Sequence, residues 1–398
     1  MGLGTLHNRR KQIMNKYRIP FNKPFHVPQA EEYVLDALRS DGQCGNHKWC
    51  KKCADLLKDK FGFKEVFLVP SGTDALEMGC ILAGLKPGDE VILPSYTFSS
   101  TGNAVVMQGA KPVFCEINPD TMNIDPDQIE SLITPRTRMI LPIDYAGIPC
   151  DLERINPIAE KYGLTVFVDA AQSLNSKDAQ GYWSGARTPI AAFSCHETKN
   201  FGCGEGGLLS VNNPDWILQA NFIQEKGTDR RLVLDGVKSK YGWVTKGSSF
   251  LLSDILAAML YAQFEAMDEI TALRGKVVDA YSMLFEPFVQ KGCVKVPRPP
   301  AGTILNNHAF FVIFDSPKNR QAFLAGLKEW DISAYIGYVP LHSSTMGLSL
   351  GYKAEDLPLT ENLAARVVRL PLYADLGREG LSYMIDRMGY VMSKLYSC

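Results

Sequence analysis

From residue 65 to residue 211, short and almost continuously apolar runs alternate with stretches of helical period. The runs lie at 65–70, 90–95, 111–117, 138–145, 165–171, 190–195 and 206–211. Strands this uniformly apolar are buried on both faces, the condition of a parallel sheet covered by helices. The segment 151–162 has the other period: Leu152, Ile155, Ile158, Ala159 and Tyr162 fall on one helical face. This alternation predicts an α/β unit built on a mostly parallel sheet. A long helical pattern over 253–278 leads out of it, and Pro297, Pro299 and Pro300 then interrupt the chain. Beyond them the pattern predicts a smaller α+β unit, with strands near 308–314, 333–340 and 367–373 and helices near 319–330 and 378–394. The expected division is an extension and arm over 1–27, a large domain over 28–265 and a small C-terminal domain over 266–398.

Composition adds exclusions. Lys plus Arg number 42 and Asp plus Glu 43, so no overall field draws the chain to nucleic acid or to a membrane surface. An anionic ligand must be held by a local cluster. Residues 1–17 are mildly basic without the apolar core of a signal peptide, and Leu6 stands where myristoylation needs Ser or Thr. No apolar run approaches the length of a membrane span. A cytoplasmic protein is expected, with its ten cysteines as reduced thiols packed like small hydrophobes.

In open parallel sheets ligands bind beyond the carboxyl ends of the strands, and four such ends carry unusual residues. After 65–70 comes Ser71-Gly72-Thr73-Asp74, opening a helix. Free N–H groups and the helix dipole there suit a phosphate, although the same residues make an ordinary N-cap. After 90–95 comes Phe98, a ring-stacking candidate or a core residue. At the end of 165–171 stands Asp169, a buried acid that needs a partner, either structural or the protonated nitrogen of a ring. After 190–195 comes Lys199, followed by Gly204-Glu205-Gly206-Gly207. A Lys held against buried structure loses proton affinity, as an imine-forming amine must. A phosphate cradle, a stacking ring, an acid and an amine on one sheet edge make the set that pyridoxal 5'-phosphate (PLP) requires.

These residues, with Ile19-Pro20-Phe21-Asn22, Pro87-Gly88-Asp89-Glu90-Val91, Asp169-Ala170-Ala171-Gln172, the segment 194–199 and Tyr338-Val339-Pro340-Leu341-His342, resemble the DegT/DnrJ/EryC1/StrS family of PLP-dependent sugar aminotransferases. That family has the aspartate-aminotransferase (type I) fold. The resemblance runs from about residue 19 over almost the whole chain. Segments 120–125, 196–200, 225–228 and 248–254 are most similar to members that aminate C4 of a dTDP-4-keto-6-deoxyhexose. The resemblance implies Lys199 as the catalytic amine, Asp169 on the pyridinium nitrogen, Gln172 on the ring hydroxyl and Phe98 stacked on the ring. Gly72, Thr73 and Ser194 would hold the phosphate, with Ser71 nearby. His308 and His342 match positions near the sugar pocket. L-glutamate would be the amino donor, a nucleotide sugar the acceptor, and a homodimer with shared sites the assembly.

The match has departures. Leu251 stands where many members have an Asn that reaches the partner subunit's phosphate, so Ser248 or Ser249 would have to substitute. Asp144 stands where the most similar branch has His. Lys226, Arg230 and Arg231 offer a diphosphate clamp or a merely solvated loop. Amination at C3 and a non-catalytic regulatory role are the alternatives. Cys44, His47, Cys50 and Cys53 have the residue types of a zinc site, but their stretch reads as entering a helix, where this spacing puts side chains on one face and not around an ion; no metal is expected.

Overall fold

The computed structural model describes residues 18–396; the 1–17 extension and Cys398 lie outside the described residues. The apolar runs become seven strands: β1 (Glu65–Val69), β2 (Glu90–Pro94), β3 (Lys111–Cys115), β4 (Thr137–Ile140), β5 (Thr165–Asp169), β6 (Ile190–Ser194) and β7 (Gly207–Val211). They form one sheet in the order β1-β7-β6-β5-β4-β2-β3. β7 runs antiparallel to β1 and β6, and every other pairing is parallel. The carboxyl ends of the six co-directional strands therefore share one edge.

Alternation explains why both faces of the runs are apolar. Val66, Leu68, Val166, Val168, Ala191 and Phe193 enter one core, while Phe67, Val69, Phe167, Ile190 and Ala192 enter the other. Helices Lys48–Phe61, Leu152–Tyr162 and Asp254–Glu265 cover the first face, and helices Gly72–Leu82 and Ser99–Val106 the second. The helix at 151–162 has the ends its sequence signals. The Asp151 side chain accepts from Arg154 N, and Gly163 closes it at φ 64°.

The segment 253–278 is not one helix. It breaks at Ala266 (φ −92°, ψ 8°), so that Asp254–Glu265 ends there and Met267–Gln290 begins, running past Pro287. No Gly or Pro marks the break, and the apolar pattern continues across it. The C-terminal unit has a second, antiparallel sheet: β8 (Val294–Lys295), β9 (Phe311–Phe314), β10 (Tyr335–Ile336) and β11 (Val367–Arg369), in the order β10-β11-β9-β8. β8 was not visible in the sequence pattern, and the other three are shorter than the apolar runs that announced them. Helices Pro317–Glu329 and Gly377–Leu395 pack against each other beside it. Ile19 pairs with Ile332, which brings Phe21 and Asn22 to the space between the two sheets. Among the described residues no helix is long and apolar enough to cross a membrane.

Candidate active site

At the carboxyl edge of the large sheet lies a cleft of ≈ 420 Å³. β1 delivers the first piece. Ser71 caps helix Gly72–Leu82: its Oγ accepts from Asp74 N (3.0 Å) and donates to Asp74 Oδ2 (2.6 Å), while its carbonyl takes Ala75 N. Of the first-turn N–H groups that an α-helix leaves without internal partners, those of Gly72 and Thr73 remain for a ligand. A Cβ at Gly72 would lie 2.7 Å from Ser194 Cβ, so only glycine lets this helix end approach the end of β6. The Thr73 and Ser100 hydroxyls lie 2.7 Å apart at the same rim. Together they make an anion cradle of backbone N–H groups and hydroxyls.

β2 delivers Phe98, whose ring stays 58% exposed although it lines the cleft. An aromatic face left open inside a concavity is suited to stacking. Three residues on, in the following helix, Thr101 donates from Oγ1 to Asp169 Oδ2 (2.7 Å), and Ala171 N donates to Asp169 Oδ1 (3.1 Å). Asp169 closes β5 and is almost fully enclosed. Burial raises its pKa, opposed by Thr101, by the Ala171 N–H and by the nearby charge of Lys199. Gln172 accepts Ala146 N at Oε1 (2.8 Å) and donates to Tyr338 Oη (3.2 Å).

β6 ends at Ser194, and the loop to β7 carries Lys199. Its side chain lines the cleft. Burial lowers its pKa from 10.5 to about 8; Arg369 acts in the same direction, Asp169 and Cys195 in the other. An amine so placed is substantially neutral near pH 8 and able to act as a nucleophile. His308 closes the far side. Asn200 Nδ2 donates to Asn306 O (2.6 Å), which fixes its amide, so Asn200 Oδ1 accepts from His308 Nδ1 (2.9 Å). Burial and then the charges of Lys199, Arg274 and Arg369 hold His308 well below its usual pKa, so the ring is neutral with Nε2 as an acceptor.

One cleft therefore gathers Ser71, Gly72, Thr73, Phe98, Asp169, Gln172, Ser194, Lys199 and His308. His342 is a correction: it is sealed behind the site, not in it. Nδ1 pairs with Ser95 Oγ (2.6 Å), Nε2 lies 3.4 Å from Glu361 Oε1, and the side chain has no exposed surface. Lys226, Arg230 and Ser249 are exposed and outside the cleft of their own chain. Glu225 lies 3.8 Å from Lys226 and 3.6 Å from Arg230. Cys50 and Cys53 face the core and donate to Leu252 O and Ala257 O; burial pushes the Cys50 thiol up to about 12 and Cys53 well above its usual value.

The sequence reading missed Thr101, Arg274, Tyr338 and Arg369, all of which line the cleft. Thr101 carried the signal used for its neighbours, a hydroxyl just past a strand end. Arg369 carried another, a lone charge within Val367-Val368-Arg369-Leu370.

Comparison with known proteins agrees with this geometry. Residues 28–389 match the DegT/DnrJ/EryC1/StrS aminotransferase family. A pleiotropic regulatory protein of Geobacillus stearothermophilus is 33% identical over 320 residues, covering 80% of this chain and 82% of its own. The UDP-2-acetamido-2-deoxy-3-oxo-D-glucuronate aminotransferase of Pseudomonas aeruginosa is 33% identical over 321 residues, covering 80% and 84%. The structure of Spr1654 from Streptococcus pneumoniae, described as a sugar aminotransferase, superposes with a TM-score of 0.87 at 26% identity over 96% of this chain and 99% of that one; it is also known in PLP and PMP forms.

The protein has the type I PLP-enzyme fold, with a mostly parallel α/β sheet. The chain belongs to the DegT/DnrJ/EryC1/StrS aminotransferase family, and its cofactor is PLP. The residues present fit that group: an anion cradle at Gly72 and Thr73, an open aromatic face at Phe98, an enclosed acid at Asp169 and a desolvated amine at Lys199.

Proposed function

We propose that the protein moves an amino group from L-glutamate to the keto carbon of a nucleotide-linked hexose. The observation that carries this reading is the pairing of Lys199, desolvated and partly neutral near pH 8, with the enclosed Asp169 in one cleft. The cofactor, when bound, supplies an electron-poor ring that stabilises negative charge at the donor's α-carbon. Asp169 holds the ring nitrogen protonated, because an enclosed carboxylate gains most from a cation beside it. Gly72, Thr73, Ser194 and Ser71 hold the phosphate, Phe98 and Gln172 orient the ring, and Lys199 Nζ carries the cofactor. Once the donor's amine takes its place, Lys199 Nζ removes the proton from the donor's α-carbon and serves again in reverse for the sugar.

For the acceptor we favour C4 of dTDP-4-keto-6-deoxyglucose, on the resemblance of segments 120–125, 196–200, 225–228 and 248–254 to C4 aminotransferases. The 3-oxo sugar in the name of the Pseudomonas relative favours a second reading, amination at C3. The regulatory name of the Geobacillus relative favours a third, but the retained amine and acid support catalysis. We also read the protein as a cytoplasmic homodimer. Leu234, Val237, Tyr241, Trp243 and Val244 expose apolar surface in the same stretch as Lys226, Arg230 and Ser249, and a partner covering it would bring those residues to a second cleft.

The test is a visible spectrum of the PLP-loaded protein, followed through addition of L-glutamate and then of either keto-sugar nucleotide. The cofactor band is expected to bleach with glutamate and to return with dTDP-4-keto-6-deoxyglucose, and NMR of the product assigns the carbon. Return only with a 3-keto sugar moves the site of amination to C3. No response to glutamate overturns the aminotransferase reading.

A further inference from the structure

Among the described residues a single side chain donates to Asp169, and it comes from another element. Thr101 Oγ1 lies 2.7 Å from Asp169 Oδ2 and 2.9 Å from Thr97 Oγ1. Thr101 and Thr97 are both buried, yet both line the cleft. An ionised carboxylate can only accept, so the Thr101 proton goes to Asp169. Thr101 then has no proton left for Thr97, and the second contact must run from Thr97 to Thr101. While Asp169 is ionised, the chain of hydroxyls therefore has one direction, and each link polarises the next. A threonine in a helix ordinarily turns its hydroxyl to a carbonyl of the preceding turn. Thr101 turns it instead to the end of β5. It stands in the first turn of helix Ser99–Val106, which starts directly after Phe98, so one turn of helix sets both the open aromatic face and the donor to the acid. Asp144 shows what a purely structural acid looks like here. It is buried, lines no part of the cleft, and accepts Ser173 Oγ (2.7 Å), Ser184 Oγ and Cys150 N (2.8 Å). Asp169 takes one donor on each oxygen and leaves its remaining acceptor capacity on the cleft side.

We propose that Thr101, backed by Thr97, is a positioning residue that keeps Asp169 ionised and aimed, and so keeps the shared proton on the cofactor's ring nitrogen; this rests on the pairing of Asp169 with that nitrogen given above. Burial alone would draw the proton to the carboxylate. Of the groups that oppose burial, Thr101 acts most strongly, ahead of the Ala171 N–H and the charge of Lys199. A hydrogen bond to the charged form of an acid lowers its proton affinity. The backbone of Asp169 is fixed on both sides, N donating to Pro142 O (2.9 Å) and O accepting Asp144 N (3.1 Å). What remains free is the turn of the carboxylate, and Thr101 and Ala171 hold one oxygen each.

The test reads the ring nitrogen directly, by nitrogen NMR of protein loaded with PLP labelled at that atom. The signal lies at one position for a protonated ring and at another for a neutral one, and Asp169→Asn sets the span between them. In Thr101→Val, which keeps the shape and removes the donor, the partition of the proton between ring and carboxylate should move about tenfold toward the carboxylate, the order of one hydrogen bond to a charged group. Thr101→Ser keeps the donor and should match wild type. Thr97→Val should move the signal the same way by less. In Thr101→Val kcat should fall about tenfold while KM for L-glutamate stays within about twofold, and adding Thr101→Val to Asp169→Asn should change neither further. A Thr101→Val signal at the wild-type position, with Asp169→Asn displaced, would overturn the role of Thr101 and leave the pairing of Asp169 standing. Equal displacement in Thr101→Ser and Thr101→Val would also overturn it, by showing that packing and not the hydroxyl is at work. An Asp169→Asn signal at the wild-type position would remove the pairing and the positioning role with it. If Thr101→Val takes up no PLP, Thr97→Val decides: displacement supports the chain of hydroxyls, and a wild-type signal overturns it.

Discussion

Asp169 and Asp254 are both enclosed carboxylates that accept backbone N–H groups, and they do opposite things. Asp254 is fully buried and caps the helix Lys48–Phe61, its Oδ1 taking Trp49 N (2.9 Å) and Cys50 N (2.8 Å) at the positive end of the helix dipole. Around it the thiols of Cys50 and Cys53 donate to backbone carbonyls. Among the described residues, none of the buried side-chain N or O atoms left without a hydrogen-bond partner lies there. Asp169 accepts one hydroxyl and one N–H, and its remaining side looks into a cleft with a desolvated amine and an open aromatic ring. Burial is common to both regions. What separates structure from chemistry is whether the buried charge is fully answered by the fold or leaves a face for something else. The same contrast places Cys50 and Cys53, in a stretch rich in residue types that bind metals, with the core, while Cys44 and His47 stay exposed.

Three measurements would break or sharpen this contrast. Asp169→Asn has the largest expected effect. Without a carboxylate to keep the ring nitrogen protonated, kcat should fall about 10²–10³-fold. Thermal stability should hold or rise slightly, because a neutral amide costs less to enclose than an acid whose pKa burial has raised. A large drop in Tm would put Asp169 in the same class as Asp254. Asp254→Ala should do the reverse. It strands the first N–H groups of a buried helix end and should cost about 2–4 kcal/mol in denaturant unfolding, with kcat per folded molecule unchanged. The smallest effect concerns pH. Because burial lowers the Lys199 pKa to about 8 from 10.5, the neutral amine predominates above about 8 and becomes scarcer below it. Stopped-flow loading of apo-protein with PLP should slow about tenfold per pH unit below 8 and level off above it. A midpoint near 10.5 would mean that the amine is solvated like any surface lysine.

Much of this was legible in the sequence, for identifiable reasons. A strand enclosed on both faces must be apolar at every position, and so the seven runs stood out without the structure. The strand-end rule then pointed to Ser71, Phe98, Asp169 and Lys199. Three things were hidden. The break at Ala266 has no local marker, because the turn needs only a bridge-region backbone that alanine adopts. His342 drew attention because it matches a family position near the sugar pocket, yet the chain turns and buries it against Ser95 and Glu361. Arg369 is marked as a lone charge in an apolar run, but its place in the cleft, like that of Arg274, comes from packing of the small sheet and the long helix Met267–Gln290, which no short-range pattern encodes. Residues such as Lys226, Arg230 and Ser249 pose a different problem, since one chain alone does not contain their expected partners.

The reversed strand β7 has a consequence for how the scaffold can change. It pairs with β6 over the whole length of both strands, from Ile190↔Val211 to Ser194↔Gly207, so the loop 195–206 begins and ends on one ladder, its roots about 4.8 Å apart. The lysine hangs from a closed bracket whose ends are fixed by main-chain bonds that no side chain supplies. Exchanging residue 199 therefore leaves the sheet untouched. Framework and reagent can be inherited separately, and a lineage can gain, alter or lose the chemistry of this position while keeping the same fold.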